Sequence, residues 1–219
     1  MPLQNRATPF GEIVAVEGRG LLMGNRGILH DDQRRIVRAW QVQRWIACVT
    51  EFRGRRRELM RPHSYTELFF LDEAAAFAAG HRPCAECRHA DYQRFKSAWA
   101  TAHGQPPSAE AMDAVLHADR LEGRGRNQGK RTYHAEIATL PDGAYLALDG
   151  RAWLLWRGSL LAWSAGAYTE RRPVPRSGMV EALTPAALVA VFRAGYTPSV
   201  HPSAEVVTGA RPLACYTAR

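Results

Sequence analysis

The chain has 219 residues, 46% hydrophobic and 23% charged, enough for one large domain or two small ones that bury a core without disulfide staples. That balance excludes a disordered, collagen-like or coiled-coil chain, and no apolar run approaches the roughly 18 residues a membrane span needs. Net charge is +8, with 27 Arg and only two Lys (Lys96 and Lys130). This favours anionic partners, nucleic acid first among them, although a compositional preference for Arg gives the same arithmetic.

The N-terminus, MPLQNRATPFGEIVAV, lacks a basic segment followed by an apolar stretch, so no secretory signal is read and the expected compartment is the cytoplasm. Residues 11–16 read as a short strand. The glycine-rich GRGLLMGNRG at 18–27 reads as a turn, because its spacing matches neither the P-loop nor the dinucleotide fingerprint. His30-Asp31-Asp32 precedes an expected helix carrying Ile36, Val37 and Trp40, with Asp31 or Asp32 as its cap. Residues 44–52 form a β-type run, and Arg53-Gly54 reads as a tight turn into a second run ending at Met60. Residues 64–71 give a third strand.

Asp72 is the predicted N-cap of an alanine-rich helix that stops at Gly80. A second helix is expected from near Cys84 to about Trp99, with Tyr92, Phe95 and Trp99 on its buried stripe. Residues 101–131 read as a linker containing a short helix, capped by Ser108 and carrying Met112, Val115 and Leu116, then an exposed, mobile loop at 121–131. From Thr132 onward, β-type runs alternate with turns at Pro141-Asp142-Gly143, Asp149-Gly150 and Arg157-Gly158-Ser159. They predict a β-meander or small barrel in which Tyr145, Trp153, Trp156 and Trp163 supply core bulk rather than a base-stacking platform. A last helix is expected with Thr184 as N-cap, Pro185 at its first position and Gly195 at its end, burying Leu188, Val191 and Phe192. The fold class is α+β, with an N-terminal domain at 1–100, the linker at 101–131 and a β-rich C-terminal domain at 132–219.

Cys84-Ala85-Glu86-Cys87 is a C-x-x-C motif. In a cytosolic chain it points to metal or redox chemistry more than to a structural disulfide. The βαβ context of a thioredoxin-like site is missing, whereas Gly80 and Pro83 place the pair at a turn leading into a helix, where two thiolates can converge on zinc. Phe69-Phe70, then Asp72-Glu73-Ala74-Ala75-Ala76, then the run from Ala78 through Gly80-His81-Arg82-Pro83 to Cys84-Ala85-Glu86-Cys87-Arg88 resembles the zinc-binding domain of the bacterial Ada DNA methylation-repair protein. The likeness covers about residues 44–95 and is most specific over 69–88.

The resemblance implies a zinc module built from a β-hairpin and helices, with Cys84 and Cys87 as the C-terminal pair of ligands and Cys48 as an N-terminal one. Ada-type domains offer two cysteines a few residues apart at that place, one of them the methyl acceptor. Here nothing pairs with Cys48 before Tyr65 except His63, so the fourth ligand is drawn from His63, His81 or Cys215. The resemblance also implies DNA-phosphate contacts around the metal, which would fall to Arg53, Arg55, Arg56, Arg57, Arg82 and Arg88.

Two weaker constellations compete. His134-Ala135-Glu136 together with Pro83-Cys84 and Cys87 repeats the elements of a zinc deaminase in reversed order. His30 and Asp31 contain donor types of a metal-dependent nuclease site. The sequence therefore reads as a zinc-stabilised nucleic-acid-binding protein, with DNA the more expected partner, in repair, modification sensing or defence. The alternative is an enzyme acting on a nucleic acid or nucleotide.

Overall fold

A computed structural model describes residues 1–54, 58–104, 108–123 and 128–208. Its central element is α1 (Glu73–Ala78), a helix whose six residues are all buried. A helix enclosed on every side needs small residues wherever its neighbours approach closely. Ala74, Ala75 and Ala78 pack with Tyr145, Leu154, Trp156 and Tyr168, whereas Ala76 and Ala79 pack with Leu22, Leu68 and Phe70. Phe77, the one large residue, joins Phe95, Phe192 and Tyr196. The predicted caps are present: the Asp72 carboxylate accepts from Ala75 N–H at 2.9 Å, and Gly80 takes φ +86°.

On one side of α1 lies a six-stranded mixed sheet of β1 (Arg6–Ala7), β2 (Ile13–Val14), β3 (Leu22–Asn25), β4 (Ile46–Val49), β5 (Leu68–Phe70) and β6 (Arg82–Pro83), in the order β2-β1-β5-β3-β4-β6. The expected hairpin from residues 44–52 to Met60 is not what β4 forms. Its antiparallel partner is β3, paired Met23↔Cys48, and on its other edge it runs parallel to β6. The glycine-rich stretch read as a turn thus supplies a central strand. A Cβ on Gly24 would lie 2.1 Å from the Ile46 carbonyl oxygen, so glycine here marks a close approach of backbones.

The helix expected around residues 31–40 is also absent. Asp31 instead closes a turn by accepting from the N–H groups of Gln33 and Arg35, both at 3.0 Å. Arg34 at φ +60° then sends the chain back, so that His30 bridges Ile36.

On the other side stands an antiparallel sheet of β9 (Tyr133–Glu136), β10 (Tyr145–Leu148), β11 (Arg151–Trp156), β12 (Ser159–Trp163), β13 (Tyr168–Pro173) and β14 (Met179–Ala182), ordered β13-β12-β11-β10-β14-β9. The predicted meander is β10 to β13. Among the described residues the sheet stays open rather than closing into a barrel. Trp153 and Trp156 are core residues, at 0% and 7% exposure.

Helices α2 (His89–His103), α3 (Ala109–Arg120) and α4 (Ala186–Arg193) share one apolar cluster, and a short α5 (Ser203–Thr208) follows. Ser108 caps α3 as predicted; of the apolar residues that helix carries, Met112 and Leu116 are buried and Val115 is exposed. Thr184 does not cap α4, since its hydroxyl accepts from Tyr145 N–H at 2.9 Å. The ends of the expected loop at 121–131 pair as β7 (Leu121–Glu122) and β8 (Gly129–Lys130).

Buried polar groups fasten the C-terminal segment to the start of α1. Asp72 accepts from Tyr168 Oη at 2.6 Å and His201 N at 2.9 Å. Glu73 accepts from Arg88 Nη2, Tyr196 Oη and Ser199 N. Carboxylates suit this helix end because its N–H groups carry partial positive charge.

Candidate metal centre

Cys48 lies in β4, and Cys84 and Cys87 flank the turn between β6 and α2. The strand pairing brings them together: β4 and β6 run in register from Ile46↔Arg82, and Cys84 N–H donates to Ala47 O at 2.9 Å. The three sulfurs lie within 4.8 Å of one another. None is in a disulfide; Cys48 and Cys84 are buried and Cys87 is partly so. Among the described residues this is the only His, Cys, Asp and Glu group with metal-ligand geometry.

Proximity splits the three thiols electrostatically. Cys84 is held down, to about 5, first by a hydrogen bond from Cys48 and further by the amides of Cys87 and Glu86, against the effect of burial. Cys48 is pushed up by that same bond, by burial and by the neighbouring negative charge. Cys87 is raised, chiefly by burial. Without a cation, then, one thiolate forms readily and suppresses the others. A divalent metal removes that conflict, because coordination deprotonates a thiol outright. The set fits a soft or borderline ion such as zinc, which takes thiolates at about 2.3 Å.

The sulfurs border a cavity of about 570 Å³ whose lining includes Met23, Ile46, Phe52, Tyr65 and Phe69, with Glu51 and Glu67 among its polar residues. Among the described residues three sulfurs stand beside this cavity, one fewer than the four donors of a closed structural zinc site. This cavity was not legible beforehand, because its walls come from five separate stretches of chain.

The other candidate ligands stand elsewhere. His63 is exposed at φ +60° and does not belong to the sulfur group. His81 is fully buried against Phe70 and Trp45. Cys215 lies outside the described residues, as do Arg55, Arg56 and Arg57.

The arginines need correction too. Arg82 is buried, with Nε and Nη2 donating to the two oxygens of Asp113 at 2.8 and 2.7 Å. Arg88 is buried on Glu73 and Asp91. Both are consumed by carboxylates and unavailable to phosphate. Arg53 is exposed, 4.8 Å above the Phe52 ring.

Neither competing constellation assembles. His134 is exposed on β9, where the Glu136 carboxylate accepts from Gly178 N–H, and neither belongs to the sulfur group. His30 is a buried clip between Thr66 Oγ1 (2.6 Å) and Arg61 O (3.2 Å). Asp31 is engaged with Arg35. Among the described residues no helix is long and apolar enough to cross a membrane.

Searches against protein-family models, curated proteins and solved structures return no match. They lend no support to an Ada-type domain; what the structure shows is the convergence of Cys48, Cys84 and Cys87.

Proposed function

We propose that Cys48, Cys84 and Cys87 hold a zinc ion as thiolates, and that the chain is a zinc-dependent nucleic-acid-binding protein acting on DNA in repair, modification sensing or defence. The observation that carries the metal is the convergence of three sulfurs within 4.8 Å from two segments 36 residues apart at their nearest, Cys48 and Cys84. Support for nucleic acid is electrostatic. Net charge is +8, and Arg38, Arg53 and Arg61 are exposed with no carboxylate partner among the described residues. Held by Cys48, Cys84 and Cys87, zinc would supply charge compensation for the thiolates and Lewis acidity.

Metal content measured by mass spectrometry on the purified chain tests the first half, with near-stoichiometric zinc expected. Cys48→Ser, Cys84→Ser and Cys87→Ser are each expected to lose it. DNA affinity as a function of salt tests the second half. Three phosphate contacts give a slope of log K on log salt of about −3 on duplex DNA. Arg38→Ala, Arg53→Ala and Arg61→Ala are each expected to reduce it by about one, and a flat salt response refutes nucleic-acid binding.

The cavity beside the sulfurs favours a second reading, an enzyme acting on a nucleic acid or nucleotide. Zinc-dependent turnover of such a substrate, abolished by Cys84→Ser in a folded protein, would select it.

A further inference from the structure

Arg26 and Arg120 are each only 2% exposed, and neither is in an ion pair with a carboxylate among the described residues. Their guanidinium carbons lie 4.1 and 3.8 Å from the ring centroid of the same indole, Trp45, itself 3% exposed. Arg26 Nε reaches His81 Nε2 at 3.4 Å, Arg120 Nη2 also meets His117 Nδ1 at 3.0 Å, and Arg120 Nε has no hydrogen-bond partner among the described residues, but the other donors go to backbone carbonyls. Arg26 Nη1 donates to Gly11 O at 2.9 Å and Nη2 reaches Ala79 O at 3.4 Å. Arg120 Nη1 donates to Gly80 O at 2.8 Å and Nη2 to Gln43 O at 2.5 Å. The Lys130 ammonium donates to Ala78 O. Three cations thus sit on three successive carbonyls at the C-terminal end of α1, where the helix dipole presents partial negative charge.

Burying cations without carboxylates is unfavourable. It lowers the proton affinity of Arg26, Arg120 and Lys130, chiefly through desolvation. An apolar cluster would fill the same space without that penalty. What the cations provide is direction, because each guanidinium fork fixes two backbone positions at once.

Gly11 lies between β1 and β2, but the other three positions, Gln43, Ala79 and Gly80, are at the roots of the two segments that carry sulfur. Trp45 immediately precedes β4 and Cys48. Gly80 and His81 immediately precede β6 and Cys84. Trp45 O also accepts from Arg82 N–H at 3.1 Å. The Arg120 fork ties Gly80 to Gln43, clamping the entry of β6 to the entry of β4, and Arg26 bonds Ala79 from the other side. The fit leaves no slack: a Cβ on Gly80 would lie 2.6 Å from Arg120 Cδ.

We infer that Arg26, Trp45 and Arg120 are positioning residues of the cysteine centre, setting the separation of Cys48 from Cys84 and Cys87 and so its metal affinity. The inference rests on the proposed metal centre, but the separation can be measured without zinc.

The test uses the full chain carrying Trp45→Phe, Trp45→Leu, Arg120→Lys or Arg120→Met, beside Leu155→Ala, a cavity mutant in the second sheet, as a control for general destabilisation. Zinc affinity is read by competition with a chromogenic chelator. In the metal-free protein, bridging of two thiols by phenylarsine oxide reads convergence directly, with Cys87→Ser and Cys215→Ser in the background so that the bridge must join Cys48 to Cys84.

Arg120→Met and Trp45→Leu are expected to weaken zinc binding by about 10- to 100-fold, the range for residues that orient metal ligands, and to slow arsenical bridging. Arg120→Lys should resemble Arg120→Met, because an ammonium cannot span Gly80 O and Gln43 O together. Trp45→Phe should stay near wild type. Wild-type bridging and zinc affinity in a folded Arg120→Met protein, or equal losses in Leu155→Ala, overturn the inference. If the wild-type chain binds no zinc, the proposed function fails, and the bridging rates still decide this point.

Discussion

Asp113 offers the clearest test of how charge is distributed in this molecule. Its carboxylate accepts two parallel hydrogen bonds from Arg82, and the two side chains are 7% and 2% exposed respectively. Asp113→Ala leaves the Arg82 guanidinium buried beside the Tyr92 ring, 5.4 Å from its centroid, with no anion to balance it. Asp113 also offsets part of the desolvation of Arg120, so two cations lose compensation. Breaking a buried pair by removing one partner costs about 3–5 kcal/mol, a large fraction of an ordinary native-state stability of about 5–15 kcal/mol. The exposed pair Arg172–Asp149, with side chains 39% and 67% exposed, provides the contrast: Asp149→Ala should cost no more than about 1 kcal/mol. Urea unfolding followed by tryptophan fluorescence measures both. Replacing the pair together, as Arg82→Met with Asp113→Leu, should recover most of the loss, since no buried charge is left stranded. A loss below about 1 kcal/mol in Asp113→Ala, or a double variant no more stable than Asp113→Ala, would refute the reasoning. Under the proposed function, the double variant should also leave any salt-dependent DNA affinity unchanged, because Arg82 faces Asp113 rather than solvent.

Burial raises the Asp72 carboxyl to about 6 from an ordinary 3.8, although Tyr168, Ala75 and His201 all donate to it. The folded state therefore holds this proton more tightly than the unfolded state. Its contribution is full below about pH 4 and is lost as pH rises to about 6, a swing of up to about 3 kcal/mol. The stability difference between wild type and Asp72→Asn should shrink by about that amount between pH 4 and pH 7 in urea titrations, and a constant difference counts against it. Gly80→Ala and Gly150→Ala both place a side chain at positive φ, +86° and +70°, at about 1–2 kcal/mol each. Gly150 has open space around it while Gly80 meets Arg120, so Gly80→Ala should show the lower melting temperature by several degrees, and equal values would remove the steric argument. Trp153→Ala, at a site with 0% exposure, should cost about 3–5 kcal/mol. A loss under 1 kcal/mol in the same assay would show that the second sheet does not depend on it.

What could be read in advance was local chemistry. Asp72 and Ser108 cap helices because a short polar side chain followed by alanine-rich runs is a start signal that needs no tertiary information. The C-x-x-C turn, the stripe of Tyr92, Phe95 and Trp99, and the meander at Tyr145–Trp163 are of the same kind. Pairing between distant segments was not legible. Residues 18–27 look like a turn because glycine is the usual residue for positive φ, yet Gly24 is there to let β3 lie against β4 and β5. Asp31 has the right identity for a helix cap and closes a turn instead, because Arg35 returns to it rather than continuing a helix. The cysteine centre was half legible: Cys84 and Cys87 announce themselves by spacing, while Cys48 joins them through the β4–β6 pairing.

The arginines carry the same lesson into function. An excess of basic residues suggests a surface prepared for phosphate, but Arg26, Arg82, Arg88 and Arg120 are all buried. Two of them balance carboxylates, and the other two hold carbonyls at the end of α1 beside Trp45. Arg34, Arg35 and Arg94 are exposed or partly so but already paired with Glu58, Asp31 and Asp91. Net charge therefore overstates what is available to an anionic partner, although exposed arginines such as Arg38, Arg53 and Arg61 remain without a carboxylate partner among the described residues. A nucleic acid held by three such contacts would bind weakly at physiological salt, because each phosphate neutralised contributes a modest, salt-sensitive increment. Under the proposed function, tight or selective recognition would have to be supplied at the cavity beside the sulfurs. The affinity that distinguishes the two functional readings is accordingly the salt-independent remainder, measured with zinc bound and again after its removal.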